Sequence, residues 1–261
     1  SNIRRNRAHA QQYDTETSIK TIFGTIVYFT FHFSFQVPLM YILAIDQGTT
    51  GTTATIFDRK GNPVGRAYRE ITQKYPRPGW VEHDPEEIWS TVNATVDELG
   101  DGIKGKIKAV GIANQRETTV LWDRKTGKPV HDAVVWQCRR TAEMCESYRA
   151  QENIIQEKTG LPLDAYFSAT KLRWLLDNSG IRDDSDMVFG TIDSWLIWKL
   201  TGGKAHATDC TNASRTMLYN IGTKSWDDEL VSMFGIPRHI LPTVKYSIDD
   251  YNTVELIPVL Q

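Results

Sequence analysis

With 261 residues, 40% of them apolar, the chain can bury the core of one large α/β domain or two small ones. Thirty basic against 32 acidic side chains leave a formal charge of −2, which argues against a nucleic-acid partner, because phosphate backbones are held by concentrated basic surface. Three cysteines without a C-x-x-C pair argue against a disulfide framework or a zinc site and fit a reducing, cytoplasmic setting.

Residues 1–39 run from polar and basic to apolar. FTFHFSFQV alternates with period two, and His32, Gln36 and Pro38 interrupt the apolar run, so a strand fits better than a membrane-spanning helix. No small-residue cleavage site follows, and the segment reads as an extension foreign to the fold rather than a membrane anchor. From Met40 the pattern is strand (41–46), QGTT loop, strand (51–58), RKGN turn and strand (63–71).

HDPEEIWSTVNATVDEL (83–99) predicts a helix capped by Asp84, with Pro85 at its first position and Glu87 closing a capping box. Ile88, Val92, Val96 and Leu99, with Trp89, share its buried face. GDGIKGKI (100–107) imitates phosphate-binding glycine loops, but a helix precedes it and a strand follows, the reverse of what such loops need. Gly100 then reads as a helix C-terminal cap, and IKAVGIA (107–113) as a buried strand. WDRKTGKPV (122–130) echoes FDRKGNPV (57–64) as a second hairpin turn.

VVWQCRR (134–140) predicts a strand, then Trp136, then a basic turn into a helix holding Cys138 and Cys145 as buried thiols. Tyr166 stands just before an amphipathic helix, and VFGTIDSWLIWKLTGG (188–203) reads as a strand, an Asp-capped helix and a terminating glycine pair. His83, His131 and His206 are isolated and receive no ligand role; N-A-T (93–95) and N-A-S (212–214) are discounted as glycosylation sites.

Chemistry concentrates at two places. In DQGTTGTT (46–53), Thr49, Thr50, Thr52 and Thr53 offer hydroxyls and N–H donors to a phosphate, above an Asp46 carboxylate suited to Mg2+; an ordinary Thr-rich hairpin reads the same way. In NQRETT (114–119), Arg116 and Glu117 emerge at a strand's C-terminal end, where donor and acceptor together suit a polyol; a surface ion pair is the alternative. Trp136 offers a ring face to a polyol's carbons, although a core role is the default for any of eight tryptophans.

YILAIDQGTT, YPRPGWVEHDPEEIW, NQRETT, VVWQCRRTAE, YFSATKLRWLLDN, TIDSWLIWKLTGG and TNASRTML together resemble the N-terminal half of the FGGY carbohydrate kinases, in order and spacing, from about residue 40 to 245. The resemblance implies an α/β fold of ribonuclease H-like, actin-like ATPase type, a mixed sheet with helices on both faces. GWVEHDP together with NQRETT points to the branch of the family that phosphorylates glycerol, giving sn-glycerol 3-phosphate with ATP as co-substrate and Mg2+ as the metal. It implies Thr49 at the transferred phosphate, Thr50, Gly51 and Thr53 along the nucleotide phosphates, and Asp46 near the metal. Arg116, Glu117 and Tyr166 would bind glycerol's hydroxyls, with Trp136 on its carbons. It also implies a cytoplasmic enzyme without membrane or nucleic-acid partners, and leaves room for a homo-oligomer.

Two departures stand out. Thr53 occupies the place where DQGTTSSR-type members carry a nucleotide-binding arginine. The family's base, an aspartate in a G-D-Q segment, has no counterpart; residues 246–261 form a divergent tail, and Asp249 and Asp250 are not promoted to that role. The expectation is a chain without the second, nucleotide-binding domain and with little or no activity of its own, whether from an incomplete gene model or as a non-catalytic glycerol- or partner-binding remnant. Another polyol or sugar kinase of the same family is the remaining alternative.

Overall fold

A computed structural model describes residues 40–252, other than 101, 103, 104, 182 and 183, together with residue 254. The expectations for 1–39 and for most of the tail lie outside the described residues. In chain order the elements are β1 (Tyr41–Gln47), β2 (Gly51–Phe57), β3 (Pro63–Glu70), β4 (Glu82–His83), α1 (Pro85–Glu98), β5 (Ile107–Asn114), β6 (Thr119–Asp123) and β7 (Ala133–Val134). There follow α2 (Ala142–Ser147), α3 (Glu152–Thr159), α4 (Ser168–Asn178), β8 (Met187–Thr191), α5 (Ile192–Leu200), β9 (Ala207–Asp209) and α6 (Cys210–Ala213). The last are β10 (Tyr219–Asn220), β11 (Ser225–Trp226), α7 (Asp228–Met233) and β12 (Thr243–Lys245).

Two four-stranded sheets carry the architecture. The first, ordered β3-β2-β1-β5, is mixed: β1 pairs antiparallel with β2 and parallel with β5. The second, ordered β4-β7-β6-β8, is antiparallel throughout. Alternation along β6 serves two cores. Val120 and Trp122 join α1, α5 and the first sheet's Leu43 and Ile45, whereas Leu121 packs with Leu172 and Leu175 of α4. The second sheet thus has helices on both faces. On the first sheet, among the described residues, α1 and α5 pack on the Leu43–Ile45 face, and Ile42 on the reverse face is half exposed. IKAVGIA forms its strand but is not buried: among the described residues β5 is an edge strand, and its residues are exposed or half-buried.

Three local expectations need correction. Asp84 caps α1 by accepting from the N–H groups of Glu86 and Glu87, but Glu87 does not close a capping box. Its carboxylate instead accepts from the N–H and hydroxyl of Thr72, at 2.9 and 2.8 Å, tying the helix start to the chain after β3. Asp193 does not cap α5; Thr191 holds the cap position, and Asp193 is buried in the first turn, accepting from the hydroxyls of Thr191 and Thr208. Burial raises its carboxyl to about 6. Cys138 is buried as expected but lies in the turn before α2, not in the helix with Cys145. Gly100, at φ +82°, follows the last residues of α1 and donates its N–H to Asp97 O.

Candidate active site

Strand register brings the two chemical corners together. Asp46 stands opposite Ala113 and Gln47 opposite Asn114 on the parallel β1–β5 pair, and the N–H of Gln115 donates to Gln47 O at 2.7 Å. The loop Gly48–Thr50 and the segment Gln115–Thr118 therefore leave the same end of the same sheet.

Gly51 opens β2 for a steric reason: a Cβ there would overlap the carbonyl oxygen of Arg69 and stand 2.6 Å from the Tyr68 hydroxyl. Gly51→Ala is expected to destabilise the domain by about 1–3 kcal/mol, read by chemical denaturation. Thr52, counted among the loop's hydroxyls in the sequence, is buried and hydrogen-bonds Thr91 of α1 at 2.8 Å, which removes it from any phosphate site. Thr49 and Thr53 are half-buried and Thr50 exposed; Asp46, exposed, stands opposite Thr53 across the β1–β2 pair.

Glu117 occupies the left-handed region at φ +62°, is 2% exposed, and takes a 2.5 Å ion pair from Arg215 Nε. Such a conformation costs a non-glycine residue about 1–3 kcal/mol and persists only where surroundings enforce it. Here Ser168 and Thr119 both donate hydroxyls to Glu117 O at 3.1 Å. Arg116, next to it, is exposed. The Arg215 guanidinium also lies 5.0 Å from the Phe167 ring centre and 5.9 Å from that of Tyr166. Tyr166 in turn packs on Trp136, ring centres 5.3 Å apart, and the Trp136 indole N–H donates to Thr49 Oγ1 at 2.9 Å. Glu117, Tyr166, Trp136 and Thr49 are thus linked through Arg215 and direct contacts.

Below this chain of contacts lies Lys171, fully buried in α4, with Nζ donating to the carbonyls of Tyr166 and Phe167. Burial pulls its pKa down to about 7, while the Glu117 carboxylate is the largest influence holding it up. A second buried group, His83, donates from Nε2 to Gln73 Oε1 at 2.8 Å and accepts at Nδ1 from Gln115 at 3.2 Å. Burial pushes His83 down to about 4. An unfolded histidine binds its proton near 6.5, so between pH 6.5 and 4 the unfolded chain holds a proton that the folded one lacks, and stability falls as pH falls. His83→Gln should therefore lose less stability than the parent between pH 7 and 4.5, by up to about 3 kcal/mol, in paired denaturation curves.

Sequence reading missed Arg215 and Lys171, and took His83 as isolated where it is hydrogen-bonded to Gln73 and Gln115. Arg215 lies 98 residues from its partner Glu117, a separation that no local pattern encodes. Lys171 carried a signal, standing four residues before buried Leu175 on the apolar face of α4. Among the described residues no cluster of three or more His, Cys, Asp or Glu side chains is placed to hold a metal, and no helix is long and apolar enough to cross a membrane.

Residues 41–256 match the family model of the FGGY family of carbohydrate kinases, N-terminal domain. The chain belongs to this family. Among curated FGGY relatives it is 57% identical over 216 residues to a glycerol kinase of Carboxydothermus hydrogenoformans, covering 79% of this chain and 43% of that one. It is 56% identical over 220 residues to a glycerol kinase of Burkholderia multivorans, covering 81% and 44%. Among solved structures, Plasmodium falciparum glycerol kinase with ADP superposes with a TM-score of 0.77 at 39% identity, covering 83% of this chain and 45% of that one. A ligand-bound xylulose kinase of Lactobacillus acidophilus gives 0.72 at 26%, covering 79% and 42%. The chain thus spans less than half the length of these relatives.

Proposed function

We propose that this chain forms the polyol-seating part of a glycerol kinase, which transfers the terminal phosphoryl group of ATP to a terminal hydroxyl of glycerol and yields sn-glycerol 3-phosphate. The observation that carries this reading is Trp136, which touches Tyr166 at the polyol corner and Thr49 in the loop, so that triol and phosphate would be held side by side. In this reading the Glu117 carboxylate accepts from two glycerol hydroxyls, Arg116 and Tyr166 donate to their oxygens, and the indole face covers the carbons. Thr49, with the N–H groups of Thr50 and Gly51, takes phosphate oxygens. The names of the relatives favour glycerol over a pentose.

Mg2+ fits the donor set. It keeps most of its waters and is bound through one or two carboxylates together with substrate phosphates. Asp46, a single exposed carboxylate at the base of the loop, meets that demand, and the metal would neutralise charge on the phosphates. The three free cysteines suit a cytoplasmic setting.

The sequence contains no Gly-Asp-Gln segment, so within it no aspartate takes the role of the family's base. The expected result for the 261-residue chain is therefore glycerol binding by calorimetric titration with ADP release no faster than background in a coupled assay. Binding of xylulose or gluconate in preference to glycerol would overturn the substrate assignment, and robust turnover the claim about the base.

A further inference from the structure

We propose that Trp136 is a positioning residue for the phosphate loop: its indole N–H fixes the direction in which the Thr49 hydroxyl donates. The consequence for phosphate binding rests on the kinase reading above. An indole nitrogen can only donate, so at 2.9 Å the Thr49 oxygen must accept there. Its one proton is then directed away from the indole, toward an acceptor, and an anionic phosphate oxygen is the strongest one available to such a loop.

Both ends of Thr49 are held, and the donors and acceptors that hold them run consistently back to one side chain. Gln73 Nε2 donates to Thr49 O at 2.6 Å, and Gln73 Oε1 accepts from His83 Nε2 at 2.8 Å. The other ring nitrogen of His83 accepts from Gln115 Nε2 at 3.2 Å, and the same amide donates to Gln47 Oε1 at 3.0 Å. On the other arm, Gln115 Oε1 accepts from the Thr118 hydroxyl at 2.9 Å, and Thr118 Oγ1 accepts from the main-chain N–H of Trp136 at 3.3 Å. Gln115 and His83 are buried. Reversing the Gln73 amide would set its oxygen against Thr49 O, and reversing Gln115 would set its oxygen against Gln47 Oε1 and the accepting His83 Nδ1, so the circuit has one sense only. The glycerol corner and the loop are joined by the same indole: its ring packs on Tyr166 and its N–H sets Thr49.

The test uses the full 261-residue chain labelled with 15N-tryptophan. Of its eight indole signals, the one missing in Trp136→Phe identifies Trp136. Thr49→Val is expected to shift that signal and to speed its hydrogen exchange at least tenfold, whereas Thr49→Ser leaves it close to the parent. An indole signal indifferent to Thr49→Val overturns the proposal. The second arm titrates glycerol and sn-glycerol 3-phosphate by calorimetry. Trp136→Phe should lose at least tenfold more affinity for the phosphate ester than for glycerol, and in a Thr49→Val background should lose no more for the ester than for glycerol. Equal losses for both ligands, or additive losses in the double variant, overturn it. A parent chain that binds neither ligand removes the kinase reading alone, because the indole arm still decides whether the N–H holds Thr49.

Discussion

Glu117→Ala is expected to lower glycerol affinity at least a hundredfold and to destabilise the fold. Hydrogen bonds to a charged group contribute about 1.5–3 kcal/mol each, and two of them lost to one ligand exceed the roughly 2.7 kcal/mol that a hundredfold change represents. The stability effect has a separate source. Glu117 pairs with the half-buried Arg215 and is the strongest favourable charge for the fully buried Lys171, so its removal takes from both their main counter-charge. Breaking a buried pair from one side costs about 3–5 kcal/mol, and neutralisation of Lys171, already pulled to about 7, would absorb part of that. Glu117→Gly separates the two effects. It suits the left-handed backbone and relieves strain there, yet should bind glycerol no better than the alanine variant. Calorimetry and urea denaturation of the two variants decide it; an alanine variant within fivefold of the parent in affinity would remove Glu117 from the polyol site.

Arg140→Ala is expected to lower stability by about 3–5 kcal/mol, or roughly 6–20 °C in Tm for a domain of this size. The Arg140 side chain is fully buried and pairs with the nearly buried Glu82 at 2.6 Å. Its guanidinium lies 3.9 Å from the Trp80 ring centre and 4.4 Å from that of Trp174, a cation–π contact to two indoles. Truncation removes both contacts and strands the Glu82 charge. Lysine offers no planar group to stack and is not a conservative replacement. Thermal unfolding followed by circular dichroism measures the effect, and a Tm within 3 °C of the parent would show that the sandwich contributes little.

The same residues show what spacing alone conveys. β1 to β3 and α1 were legible because alternation and three-to-four periodicity report which face of a strand or helix is buried. Around 100–107 the order of elements, α1 before and β5 after, is the one the pattern predicts. GWVEHDP, which together with NQRETT resembles the glycerol-phosphorylating branch, holds the fold behind the candidate site: Trp80 and Glu82 clamp Arg140, His83 anchors Gln73, and Asp84 caps α1. A motif records that residues belong together without saying whether they touch a ligand or one another. Long-range pairs were not legible at all, among them Arg215 with Glu117 and Asn114 with Asn212. The exposure of β5 was missed for a related reason, since an apolar strand sequence does not reveal whether a second neighbour lies beside it.

The pairing of Asp46 with Ala113 and of Gln47 with Asn114 makes the geometry of the candidate site discrete. Adding or deleting one residue in β1 or β5 would displace one corner by about 3.3 Å and turn every following side chain to the opposite side of the sheet. Intermediate adjustments are unavailable to the backbone. Natural length variation in this part of the chain should therefore gather in the exposed turn at Asp58–Asn62, which can grow or shrink without altering the distance between the two corners.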